Sequence, residues 1–142
     1  MAPGGGTRVA AVLGDPVRHS LSPVLLNAAF EASGIDWTYV AFEVPAASLP
    51  DAFAGLRALG IAGASITMPH KEAAAVCADR LSPTAERLGA VNCIVNDGGV
   101  LTGHNTDGTG FVRSLEHSFS FDPRGRRCVV FGAGGSARSI VL

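Results

Sequence analysis

One lysine stands among the eleven basic residues of this 142-residue chain; the other ten are arginine. That lysine, Lys71, closes the stretch Ser65-Ile-Thr-Met-Pro-His-Lys71, behind a strand-like run and inside the first turn expected of a helix. The amino end of a helix is electropositive and disfavours a cation by roughly a few tenths of a kcal/mol. An amine placed against that field is suited to exchanging a proton during a reaction. Arginine cannot replace it in that task, because its guanidinium stays protonated at any ordinary pH. Two readings stay open: a proton-transferring lysine, or a surface lysine paired with Glu72 or Asp79.

Other polar groups of the right type lie elsewhere in the chain. Asp107, in Asn105-Thr106-Asp107, either helps cap the next helix or orients and charge-stabilises a lysine across a cleft. Ser22 before Pro23 is explained as a helix N-cap, and Ser82 before Pro83 is the same arrangement. Only the first has a second hydroxyl two residues earlier, at Ser20. Two hydroxyls beside free helix amides suit a carboxylate. Asn92 stands at the start of a hairpin strand, where a turn or ladder role is the default. Gly132, Ala133, Gly134, Gly135, Ser136 and Ala137 follow the apolar run Cys128–Phe131 and precede a helix start. Gly132, Gly134 and Ala137 fill the small positions of G-x-G-x-x-G/A, whose backbone can approach a dinucleotide pyrophosphate. A plain glycine turn is the alternative, since 18 residues are glycine. No Gly-Lys-Ser/Thr follows, so a Walker loop is excluded. His19, His70, His104 and His117 show no metal-ligand spacing and read as surface or loop residues. Cys77, Cys93 and Cys128 read as small core fillers, with no zinc or disulfide pattern.

These residues need a scaffold, and the pattern supplies an α/β one. Strands are expected at 8–13, 37–42 and 61–67, and helices at 23–33, 46–59 and 69–78, with a short helix from Pro83 to Gly89. Segments 91–95 and 100–104 flank Asn96-Asp97-Gly98-Gly99, a hairpin signal. A helix follows from about 106 to 117. The order predicts a three-layer, mostly parallel sheet covered on both faces, with a hairpin at one edge. Residues 1–6 read as a disordered tail and 7–121 as one domain. Residues 122–142 read as the start of a dinucleotide-binding Rossmann domain, opening on a strand at 128–131. That strand and helix start cannot bury their own apolar surface, so the sequence reads as the first half of a longer enzyme. Net charge is −1, and no basic run suits nucleic acid. No apolar run approaches the roughly 18 residues of a membrane span. A signal peptide is not apparent, and three unclustered cysteines fit a reducing compartment, so a cytoplasmic location is expected.

Taken together, the segments resemble the shikimate dehydrogenase family. Gly14-x-Pro16-x-x-His19-Ser20-x-Ser22-Pro23 resembles its substrate-carboxylate motif, Thr67-x-Pro69-x-Lys71 its catalytic-lysine motif, and Gly89-Ala-Val-Asn92 a third substrate segment. Gly103-x-Asn105-Thr106-Asp107-Gly108 resembles its catalytic-aspartate motif, and Gly132–Ala137 its cofactor loop. The resemblance implies that Ser20 and Ser22 bind the substrate carboxylate, and that Thr67, Lys71, Asn92 and Asp107 contact the ring hydroxyls. It implies that Lys71, paired with Asp107, gives the proton as NADPH reduces 3-dehydroshikimate to shikimate, in a monomer or homodimer. NAD is not excluded, because the residue that reads the ribose 2′ position would lie beyond Leu142. An NAD-dependent quinate/shikimate dehydrogenase and a non-catalytic shikimate-binding fragment are the competing readings. Ser65 stands where the family often has asparagine, and Cys93 where threonine is common.

Overall fold

The structure, a computed structural model, describes residues 2–142. Arg8–Gly14 forms β1, whose residues are buried from Ala10 onward. Ser22–Ala32 forms α1 and Trp37–Glu43 forms β2. A single 3-10 turn at Ala46–Ser48 leads into α2, Leu49–Ala58, where the pattern predicts one continuous helix. Gly63–Ile66 is β3, Lys71–Cys77 is α3, and Arg80–Leu81 is a two-residue β4. Pro83–Leu88 is α4, followed by β5 (Cys93–Asp97) and β6 (Val100–His104). Asp107–Phe119 is α5 and Gly135–Val141 is α6.

The six strands lie in the order β2-β1-β3-β5-β6-β4. β1 pairs in parallel with β2 and β3, and β4 with β6, while β5 runs antiparallel to β3 and β6. The hairpin is therefore not at the edge. β4 extends the sheet beyond it, and a strand of two residues carries no periodicity by which a sequence could announce it. Gly98 and Gly99, with φ of 57° and 93°, close the hairpin as a two-residue turn whose backbone twist matches its strands.

Alternation along the strands divides the core between two faces. Ala11, Leu13, Ala64 and Ile66 pack with Leu49, Phe53 and Leu56 of α2 and Ala74 of α3. Ala10, Val12 and Tyr39 turn to the other face, against Leu26 and Phe30 of α1. Burying Phe53 or Leu56 contributes roughly 1.5–3 kcal/mol per side chain before the entropy of ordering it. The chain leaves β1 toward the α1 face and β3 toward the α3 face. That divergence makes the carboxyl ends of β1 and β3 a topological switch point, where α/β sheets hold their ligands.

Two local expectations change. Ser22 is the first residue of α1 and not its cap; Leu21 holds the cap position and makes no side-chain cap bond. Ser82 does cap α4, accepting from the Ala85 amide at 3.3 Å. Residues 128–131 form no strand, since their backbone finds no neighbouring strand to pair with. Of the six-residue tail, Met1 lies outside the described residues, and Gly4 joins a turn through the Thr7 side chain.

Candidate active site

The loops leaving β1 and β3 meet at the switch point, where the Asp15 amide donates to the Met68 carbonyl at 3.1 Å. The β3 loop turns into α3 through Thr67, whose amide holds the Leu13 carbonyl of β1 at 3.0 Å. His70 precedes the helix and is 1 % exposed, with its Nε2 2.7 Å from the Val44 carbonyl. It is no surface histidine: the ring donates that bond and clamps the β3 loop to the end of β2. Lys71 follows as the first residue of α3.

Its ammonium meets neither Glu72 nor Asp79. Lys71 Nζ lies 2.5 Å from Asp107 Oδ2 and 2.9 Å from Ser136 Oγ. The two charged side chains are 19 % and 23 % exposed, enough to admit a ligand and buried enough to limit screening by water. Glu72 pairs instead with Arg138, and Asp79 with Arg57 at 2.9 Å.

Asp107 opens α5 and is held from three sides. Asn92 Nδ2 donates to its Oδ1 at 2.6 Å, and its own amide donates to Asn105 Oδ1 at 3.1 Å. Ser136 Oγ lies 3.4 Å from its Oδ2. Asn105 is itself buried and donates to the Ala90 carbonyl at 3.0 Å. Asn92 sits between β3 and β6, its amide bonded to the His104 carbonyl and its carbonyl to the Ile66 amide. Its side chain also bonds Thr106, so it braces the start of α5.

Ser20 and Ser22 lie half-buried at the start of α1, off the same end of the sheet. Ser20 Oγ accepts from the Ser22 amide at 3.3 Å, which accounts locally for the hydroxyl that capping left unexplained. No described hydrogen bond joins either serine to Lys71. Below Thr67 on the same strand face, Ser65 accepts from the Tyr39 hydroxyl at 2.7 Å. Burial raises the Tyr39 phenol above its ordinary value against the lowering effect of Ser65, and burial likewise raises the Cys93 thiol. Both stay neutral near pH 7. Cys77 is also half-buried, whereas Cys128 is exposed and fills no core.

Residues 131–137 lie against the start of α3 and leave a cleft of about 480 Å³, walled by Thr67, Met68, Pro69, Lys71 and Glu72 on one side and by Phe131, Gly132, Gly134, Gly135, Ser136 and Ala137 on the other. Gly132 has φ of 108°, a conformation that L side chains rarely adopt. A Cβ added at Gly134 would meet nothing within 4 Å, so the backbone there is open to close approach. The loop thus fits the pyrophosphate of a dinucleotide. Among the described residues no cluster could hold a metal ion, and no helix is long and apolar enough to cross a membrane.

Sequence reasoning missed two contributors. His70 gave no signal beyond a histidine beside the lysine. Ser136 reads only as a small residue of the glycine loop, because its contact with Lys71 spans 65 positions.

Comparison with known proteins identifies the family and the fold. The sequence model of the shikimate dehydrogenase substrate binding domain matches residues 12–94. A shikimate dehydrogenase (NADP(+)) of Geobacter metallireducens is 52 % identical over 137 residues, covering 96 % of this chain and 48 % of the relative. The chain thus spans about half the length of the curated relatives it matches. The shikimate 5-dehydrogenase of Thermus thermophilus, in complex with NADP(H) and shikimate, superposes with a TM-score of 0.88 at 39 % identity, covering 94 % of this chain and 50 % of that one. That of Listeria monocytogenes, in complex with shikimate and NAD, superposes with a TM-score of 0.85 at 42 % identity, covering 99 % and 48 %.

Proposed function

Because the chain belongs to the shikimate dehydrogenase substrate-binding-domain family, we propose that it forms the substrate half of an NADP-dependent enzyme that interconverts 3-dehydroshikimate and shikimate. The Lys71–Asp107 contact carries the reading. An ammonium has three N–H donors; Asp107 and Ser136 take two, and the third is left for a substrate oxygen. Bonded to the C3 carbonyl oxygen, that N–H polarises the ketone and passes its proton to the oxygen as hydride arrives at carbon. In reverse, Lys71 accepts the hydroxyl proton. Asp107 keeps the ammonium in place and is itself fixed by Asn92 and Asn105.

Ser20 and Ser22, at the amino end of α1, would receive the substrate carboxylate, and Thr67 a ring hydroxyl. Asn92, with both N–H groups engaged by Thr106 and Asp107, serves the substrate through its hold on the aspartate. Gly132–Ala137 would seat the cofactor pyrophosphate, and the dinucleotide supplies the hydride. The relatives' naming supports NADP, while the Listeria complex keeps NAD as a second cofactor to assay. We read the protein as cytoplasmic, acting on a small molecule as a monomer or homodimer with no nucleic acid partner, and residues 122–142 as the opening of the nucleotide domain.

The test joins residues 1–142 to the remaining half of the Geobacter metallireducens relative. With shikimate and NADP⁺ the chimera should form NADPH, and residues 1–142 alone should form none. A folded chimera without turnover, with either cofactor and with shikimate or quinate, would overturn the reading.

A further inference from the structure

Among the described residues, one hydroxyl touches both members of the Lys71–Asp107 pair, and it comes from the glycine loop. Ser136 Oγ accepts from Lys71 Nζ at 2.9 Å and donates toward Asp107 Oδ2 at 3.4 Å, closing a triangle with the 2.5 Å ion pair. The triangle has a geometric consequence. One N–H bond to a single carboxylate sets the torsion about Cε–Nζ but leaves the ammonium to librate about that bond, and its other two protons swing with it. A second acceptor at another angle about the same axis narrows that libration and so sharpens the direction of the third N–H. Directional pre-organisation of this kind raises rate without adding a contact to the substrate.

Ser136 is held firmly enough to serve. A Cβ added at Gly135 would meet Ala90 Cβ at 3.2 Å and Lys71 Cβ at 3.7 Å, so the loop backbone lies directly on the lysine. Arg138, two residues on, pairs with Glu72, the neighbour of Lys71. Ser139 Oγ bonds back to the Ser136 carbonyl at 2.8 Å. The start of α6 is thereby fastened to the start of α3 on both sides of the serine.

We propose that Ser136 is a positioning residue, whose hydroxyl fixes the direction of the third Lys71 N–H and so couples the glycine loop to the acid–base pair. Its effect on rate rests on the dehydrogenase reading above; the contact itself does not. The chain provides its own probe, since lysine labelled with ¹³C at Cε gives one signal, that of Lys71. In residues 1–142, Ser136→Ala should shift that signal and leave the amide spectrum of the α/β body in place. In the chimera, the same change should lower kcat about tenfold with KM for shikimate moved less than about twofold. Ser136→Thr keeps the hydroxyl, and its methyl finds solvent at this exposed position, so it should restore both signal and rate.

An unshifted lysine signal in a folded Ser136→Ala chain overturns the proposal. A shifted signal with unchanged kcat overturns it as well, because the hydroxyl would then touch Lys71 without consequence. Loss of KM alone would make Ser136 a binding residue and also count against it. An inactive wild-type chimera would instead count against the dehydrogenase reading, and the lysine signal alone would decide whether Ser136 holds Lys71.

Discussion

Lys71 owes its place to neighbours that are each explicable one at a time. The Val91 amide bonds its carbonyl at 2.8 Å, which ties the first residue of α3 to the segment carrying Asn92. Asn92 in turn reaches Asp107 through its side chain, so three sequence-distant residues converge through one backbone bond and one side-chain bond. The proposed function asks that the amine release and recover a proton, a demand that separates it from arginine. Lys71→Arg keeps the charge and a partner for Asp107 but removes the proposed proton donor. In the chimera we expect kcat to fall about 10²–10⁴-fold, the range typical of general acid–base catalysis, with a much smaller change in KM. Initial rates at saturating shikimate check this, and an arginine variant of near-normal rate would leave Lys71 as an anchor only. The residue types of the pair were legible in the sequence, because lysine occurs once and aspartate follows a loop. The bracing by Asn92 was not, since a hydrogen bond across 15 positions depends on strand pairing that spacing alone does not fix.

Elements with strong periodicity or strong punctuation were legible, and those lacking both were not. α2 shows itself through Leu49, Phe53 and Leu56, all on one buried face. The hairpin shows itself through Gly98 and Gly99, which adopt the positive φ its turn requires without steric cost. β4 is invisible by length. It is held by a side chain: Asp79, just before it, accepts from the Leu101 amide of β6 at 2.7 Å and from Arg57 at 2.9 Å. Those bonds hold the Asp79 carboxyl below its ordinary range, the Leu101 amide contributing most. A carboxyl depressed in the folded state contributes stability above its unfolded pKa of about 4 and loses it as pH falls through the folded value. Asp79→Asn should therefore lower Tm at pH 7, and the gap to wild type should narrow as pH falls below about 4. Thermal melts across a range of about pH 3–7 measure both. A gap independent of pH would mean that Asp79 acts through shape and not through its charge.

At the scale of the molecule, the two ends of the chain differ in how well they are closed. The α/β body buries Ala11, Leu13, Phe53, Val91 and Leu101 to 2 % exposure or less. Beyond α5 the segment 128–131 carries the same kind of side chain, and two of its members are left open: Val129 is 80 % and Phe131 95 % exposed. Its residue types are those of a buried strand, but a strand exists only where a neighbour accepts its hydrogen bonds, and residues 1–142 bring none to it. An unpaired segment of strand-forming apolar residues is a template for pairing with another copy. Covering even half of the two side chains would remove on the order of 100 Å² of apolar surface per copy, worth roughly 2–3 kcal/mol at 25 cal/mol per Å². That is too little for a tight dimer, since ordering costs oppose it, and enough for weak association at high concentration. Residues 1–142 should thus sediment with a coefficient that rises with concentration between about 10 µM and 1 mM, a window that corresponds to weak binding. Val129→Asp with Phe131→Asp should abolish the rise while leaving the far-UV spectrum and Tm nearly unchanged, because neither side chain packs into the body. The chimera, in which a complete nucleotide half can pair with the segment, should lose the dependence without any substitution. A wild-type chain whose sedimentation ignores concentration throughout that window would show that the open segment closes on its own body in solution.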